Sequence, residues 1–274
     1  MELIFSTEKV SEHITRIFAF NSELMYLVEG EYSCVLIDTG SGFGSLKSCV
    51  DALTDKPITV LCTHGHTDHA LGAGEFEDVW ISPLERRAFE RHSDMAFRAN
   101  SGGMWPDFPK LREDQIILPM DFEKMKSLEE GEKFDLGGIS VEIFSCPGHT
   151  AGSLVMLMPE ERTLLLGDAC NFLTFLFDDL SLKVGDYKRS LESLLSKLHG
   201  RYDKVLLSHG DGEGLPDMVE RVIEVCDDIL EGRSDEACFN FLGAEAMLAH
   251  AIDRNGRRTD GGAGNIVYSE LTFG

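Results

Sequence analysis

His64-Gly65-His66-Thr67-Asp68-His69 puts three imidazoles and a carboxylate within six residues. The apolar run Ile58-Thr59-Val60-Leu61-Cys62 leads into it and a glycine-rich turn follows. Residues two apart in an extended stretch face the same side, so His64 and His66 can converge on one ion. Asp68 and His69 come one turn later and can hold a second ion near the first, because imidazole and carboxylate both suit zinc and other first-row divalent metals. The plainer reading is a polar loop whose histidines meet only water. With nine histidines in 274 residues, three in one hexapeptide is an improbable accident, and the stretch is read as a metal site.

Four ligands on one loop do not complete two ion sites, so more are expected after other strand-like runs. Gly138-Ile139-Ser140-Val141-Glu142-Ile143-Phe144 reads as a strand and runs into Cys146-Pro147-Gly148-His149-Thr150. Arg162-Thr163-Leu164-Leu165-Leu166 ends in Gly167-Asp168, and Lys204-Val205-Leu206-Leu207 ends in Ser208-His209-Gly210. Each places one candidate ligand at the end of an apolar run, where sites gather in sheet-based folds.

These motifs, in this order, resemble the metallo-beta-lactamase-fold superfamily of hydrolases over nearly the whole chain. Val35-Leu36-Ile37-Asp38-Thr39-Gly40 is similar to the family's first motif, whose aspartate supports the metal ligands from behind. The resemblance implies an α/β fold, the four-layered αβ/βα sandwich of the metallo-beta-lactamase type. It implies His64, His66 and His149 on one metal, Asp68, His69 and His209 on the other, and Asp168 bridging them. Two ions about 3.5 to 4 Å apart can share a hydroxide that is nucleophilic near neutral pH, while the charge developing on substrate is neutralised by metal. Asp68 has a second candidate task as the catalytic proton carrier that orients this hydroxide and protonates the leaving atom. Zinc is the default for the two divalent ions, and iron or manganese suit the same donors.

Composition is that of a globular enzyme: 274 residues are enough for a substantial core, and 43% apolar content is ordinary. A single domain over 1–274 is expected, with a lid insertion at 84–125. Ser, Thr, Glu and Lys follow Met1-Glu2-Leu3-Ile4-Phe5 directly, so neither a signal peptide nor a spanning helix is expected. Seven cysteines, an odd number, read as reduced thiols of a cytoplasmic protein, with Cys62, Cys146 and Cys170 as small packing residues. A formal net charge of −23 repels polyanions. Arg86, Arg87, Arg91 and Arg98 alternate with Glu85, Glu90 and Asp94, which is a solvated helix face and not a phosphate track. The expected partner is a small-molecule substrate, with no nucleic acid and no membrane; a homodimer is left open.

Strands are predicted at 14–19, 24–29, 33–38 and 58–62, with two or three more across 125–145, and helices at 44–53, 84–92, 187–198 and 216–230. Met95, Phe97, Met104, Trp105, Pro106, Phe108 and Pro109 make 84–125 aperiodic, so it is a candidate lid or a packed surface excursion. Asn171-Phe172-Leu173-Thr174-Phe175-Leu176-Phe177 is a second candidate wall, a self-association face or a buried strand. Gly40-Ser41-Gly42-Phe43-Gly44 has its third glycine at the wrong offset for a dinucleotide turn. His13, His92, His199 and His250 lack ligand-like neighbours in sequence. Asp260-Gly261-Gly262-Ala263-Gly264-Asn265 is either a mobile loop or C-terminal stitching.

Departures from the family narrow the substrate. Members that cleave antibiotics with a cysteine ligand place it where Asp168 stands and are exported. Glyoxalase II enzymes share the ligand set, but their glutathione-binding residues are not found after Gly167-Asp168. Quorum-quenching lactonases carry a tyrosine close behind the bridging aspartate, where this chain has Asn171. The expectation is a dinuclear metal-dependent hydrolase of a small ester, thioester or lactone. The alternatives are a small-molecule phosphodiesterase of the same fold and a mononuclear iron oxygenase using His64, His149 and Asp168.

Overall fold

A computed structural model describes residues 5–19, 23–94, 97, 115–241 and 243–273. The chain divides into two compact units. One comprises residues 1–143, 158–161 and 208–212; the other comprises 144–157, 162–207 and 213–274.

The first unit opens with β1 (Ser6–Lys9), β2 (Ile14–Phe18), β3 (Leu24–Glu29) and β4 (Cys34–Ile37), each antiparallel to the one before. Short connections allow this meander. Helices then return the chain: α1 (Leu46–Asp51), whose N-cap Ser45 accepts from the Ser48 N–H, leads to β5 (Ile58–Leu61). Thr67–Ala70 forms α2, a single turn, before β6 (Val79–Ile81); Arg86–Ser93 forms α3; and β7 (Lys126–Ser127) closes a seven-stranded sheet in sequence order. β4 through β7 pair in parallel because each crossover carries the chain back to its starting edge. Ile17, Leu27, Leu36, Val60, Leu71 and Phe89 belong to its core. β8 (Lys133–Asp135) pairs antiparallel with β9 (Ser140–Ser145).

In the second unit β10 (Leu154–Met158), β11 (Thr163–Leu165), β13 (Lys204–Leu206) and β14 (Glu213–Gly214) are neighbours in the order β14-β13-β11-β10. β12 (Thr174–Leu176) pairs with the last strand, β17 (Ile266–Tyr268), in a four-stranded sheet completed by β16 (Ala244–Leu248) and β15 (Ala237–Phe241). The helices are α4 (Val184–Leu198) and α5 (Met218–Leu230). Val184, Tyr187, Leu191, Leu194 and Leu198 recur every three or four residues on the buried face of α4. This helix starts three residues before Tyr187, the start expected from sequence, because Val184 and Tyr187 both anchor its first turn in the core.

Most predicted strands are found within a residue or two. The turn expected at Asn21-Ser22 and the middle of the candidate lid, residues 95–96 and 98–114, lie outside the described residues. Phe175 and Phe177 of the phenylalanine-rich run pack on Phe241, with ring centroids 4.8 and 5.7 Å away, whereas Phe172 is exposed. Among the described residues no helix is long and apolar enough to cross a membrane.

Candidate metal centre

In the first unit the site is built around one buried carboxylate. Asp38 follows β4 with φ of 62°, a left-handed conformation that aspartate tolerates better than most side chains. The Thr63 N–H donates to Asp38 Oδ1 at 2.7 Å, and the Thr63 hydroxyl donates to Oδ2 at 2.8 Å. His69 Nδ1 lies 2.8 Å from the same Oδ2. A carboxylate only accepts, so Nδ1 carries the proton and Nε2 is the nitrogen that can offer a lone pair to a metal. The Thr63 hydroxyl has spent its hydrogen on Asp38 and accepts from His64 Nδ1 at 3.1 Å, which selects Nε2 of His64 in the same way. Asp38 therefore sets the tautomer of two imidazoles.

The His64 ring lies 4.6 Å from that of His66 and 4.1 Å from that of His69, centroid to centroid. Asp68 Oδ2 stands 3.6 Å from His69 Nε2 and 3.5 Å from His209 Nε2. The donor atoms of Asp68, His69 and His209 all lie within 4.8 Å of one another. Atoms bound about 2.1 Å from a tetrahedral zinc are about 3.4 Å apart, so this trio fits a shared divalent ion. His209 reaches the site because the Leu24 N–H donates to the Ser208 carbonyl at 2.9 Å and the Tyr26 hydroxyl donates to the Gly212 carbonyl at 3.3 Å. Asp68 and His209 keep 32% and 40% of their side chains exposed, which gives water and substrate a way in.

The second unit presents His149 and Asp168, with His149 Nε2 3.9 Å from Asp168 Oδ2. That is too long for a hydrogen bond and short enough for one ion to touch both. His149 Nδ1 donates to the Phe175 carbonyl at 2.7 Å, which again leaves Nε2 to ligate. Tyr187 joins the two ligand turns. Its ring fills the space beside Gly148, where an added Cβ would sit 2.0 Å from Tyr187 Cδ2, and its hydroxyl donates to the Ala169 carbonyl at 2.7 Å. Asn171 Nδ2 lies 3.4 Å from Asp168 Oδ1.

Burial pushes the Cys62 and Cys170 thiols well above their ordinary range and the Cys146 thiol up to about 12, as for thiols packed in apolar surroundings. Burial likewise raises Glu23, with the Asp68 carboxylate adding to the shift, although the N–H and hydroxyl of Ser41 both donate to Glu23 Oε1.

The sequence profile of the metallo-beta-lactamase superfamily matches residues 20–209. The chain belongs to that superfamily. It is 34% identical over 130 residues to an uncharacterized protein of Mycobacterium bovis, covering 44% of this chain and 53% of that protein. It thus spans about half the length of that relative. Identity is 27% over 203 residues to the acyl-coenzyme A thioesterase MBLAC2 of Gallus gallus, 69% of this chain and 73% of the relative. It is 25% over 209 residues to the hydroxyacylglutathione hydrolase GloC of Haemophilus influenzae, 73% and 89%. Among solved structures, a metallo-beta-lactamase from Pontibacter korlensis superposes with a TM-score of 0.61 at 17% identity, covering 82% of this chain and all of the other. The fold class is the α/β metallo-beta-lactamase type expected from sequence.

Sequence reading missed Thr63, Glu23, Tyr187 and His92. The first three carry no motif: their work depends on neighbours distant in the chain. His92, set aside for want of ligand-like neighbours in sequence, has its ring stacked on His66 at 4.2 Å and 18°.

Tyr187→Phe leaves the buried Ala169 carbonyl without its donor and is expected to lower unfolding stability by about 1 to 3 kcal/mol, read from urea titration. Folded Glu23 holds its proton more tightly than the unfolded chain, whose carboxyl titrates near 4.5. Its contribution to stability is therefore full below that pH and is lost as pH rises through the folded value. Glu23→Gln is expected to gain thermal stability over the native protein progressively from pH 4 to pH 8. A pH-independent difference in Tm would contradict this assignment.

Proposed function

We propose that the protein is a metal-dependent hydrolase of small acyl compounds, with acyl thioesters as the first substrate class. The observation that carries this reading is the Asp68, His69 and His209 trio, partly open to solvent, with His69 oriented by Asp38. His64, His66 and His149 are assigned to one divalent ion, Asp68, His69 and His209 to the other, and Asp168 to both. The order of motifs shared with the superfamily supports placing His149 and Asp168 in this centre. When bound, the ions supply Lewis acidity and bring the pKa of a coordinated water down to about 7.

The chain's own residues do the rest. Asp38 holds the imidazoles of His69 and, through Thr63, His64 in their ligating tautomers, so no reorientation is needed when metal arrives. Asp68, with Oδ2 turned to His69 and His209, has Oδ1 as the oxygen to take a proton and pass it to the leaving atom. That help matters less for a thiol, which leaves as a stable thiolate with pKa about 8.5, than for an alcohol. One relative is named for acyl-coenzyme A thioesters and another for hydroxyacylglutathione, which supports thioesters over esters and lactones. A net charge of −23 supports a small substrate over a polyanion.

Metal-stripped protein is expected to lose hydrolysis of short acyl thioesters and recover it on adding zinc, manganese or iron. Preference for nitrophenyl phosphodiesters in the same panel would replace the acyl reading with phosphodiester cleavage, and oxygen consumption by a one-iron form would replace it with oxygenation. Asp68→Asn is expected to reduce turnover more than metal content, and to slow alkyl esters more than thioesters. Unchanged turnover in that variant would remove Asp68 as the proton carrier.

A further inference from the structure

The metal loop is gripped from outside by a helix twenty residues further along the chain. Glu85, Phe89 and His92 are spaced i, i+4 and i+7, which puts them on one face of α3 and the turn before it. Glu85 and Phe89 meet Gly65, and His92 meets His66 and Thr67. Glu85, expected from sequence on a solvated helix face, is instead fully buried, because its Oε2 accepts from the Gly65 N–H at 2.7 Å. Gly65 is packed so closely that an added Cβ would lie 2.8 Å from the Phe89 backbone nitrogen and 3.1 Å from the Glu85 carbonyl oxygen. His92 stacks on the His66 imidazole, while its Nδ1 accepts from the Thr67 N–H at 3.2 Å. A backbone N–H can only donate, so His92 presents Nδ1 as a lone pair and carries its proton on Nε2.

The helix is itself braced. The Phe122 ring lies 5.6 Å from that of Phe89, and the Arg86 guanidinium sits 4.6 Å above Phe122 and 2.9 Å from the Glu123 carboxylate. The contacts therefore join the loop to a fixed support.

We propose that Glu85, Phe89 and His92 form a helical clamp that presets the spacing of His64 and His66 and so sets the affinity of the ion position those two histidines share. The clamp rests on the metal assignment above. It holds the backbone at Gly65, between the two ligands, and at Thr67, just after them, through one buried and one part-buried hydrogen bond. Glu85 also brings a carboxylate to the backbone of the loop, where it favours a nearby cation. His92 is a positioning residue, acting on the ion through His66. Past the clamp, His69 is held by Asp38, whereas His64 is held by Asp38 through Thr63 and by the clamp through Gly65, so loss of the clamp falls on the position that His64 and His66 share.

Zinc binding to the full chain, followed by competition with a chelating dye, tests this without reference to turnover, and cobalt(II) absorption reports ligand geometry. His92→Phe keeps a flat ring but loses the acceptor for Thr67; Gly65→Ala wedges the loop off the helix; Glu85→Gln keeps an acceptor but loses charge. Each is expected to weaken one of two metal equivalents by about 10- to 100-fold, leave the other near its native affinity, and alter the cobalt spectrum. His92→Asn, which can place an oxygen near the position of Nδ1, is expected to recover part of the loss and carries the test should His92→Phe fail to fold. Native affinities and spectra in all these variants, or equal loss of both equivalents, would overturn the clamp. Failure of the native protein to bind any zinc would instead overturn the metal assignment itself.

Discussion

A carboxylate buried without compensation costs several kcal/mol, and Asp38 is buried to 1% exposure. It is compensated by Thr63 and His69, and those two partners are what the metal loop needs for its own order. The electrostatic requirement of one side chain thus becomes the geometric rule for the centre. His69 must present Nε2, Thr63 must receive the proton of His64, and the loop leaving β5 must return beneath the end of β4. Thr39 adds to this by donating its N–H to the His69 carbonyl at 2.6 Å.

The second unit meets a similar demand by different means. His149 is oriented by a backbone carbonyl, Phe175, and not by a carboxylate. The turns bearing His149 and Asp168 are joined by Tyr187, an aromatic residue on the buried face of α4 that serves as packing and as hydrogen-bond donor together. Orientation by a neutral carbonyl leaves the charge of Asp168 as the main negative contribution from this unit's pair. The first unit contributes Asp38 and Asp68 beside its histidines.

Much of this was legible in the chain. Strand-like runs ending in His64, His149, Asp168 and His209 announced themselves by apolar patterning followed by a polar residue at the strand end. The helix at 187–198 was visible from its period, and its true start at Val184 was hidden because Lys183, Gly185 and Asp186 interrupt the apolar pattern around it. Phe175 and Phe177 could be read equally as wall, interface or buried strand. Pairing of β12 with β17, about ninety residues away, decides that they pack against Phe239 and Phe241.

The sequence by itself determined the fold family, the candidate ligands and their order, since a ligand type and its place after a strand are local properties. Tertiary structure alone decided which ring nitrogen each histidine offers, and that His92 belongs beside His66 while His250 sits among Asp228, Asp235 and Asp260. The reason is physical: tautomer, stacking and burial are set by atoms brought close through folding, and a histidine's chemistry is fixed by what faces its second nitrogen.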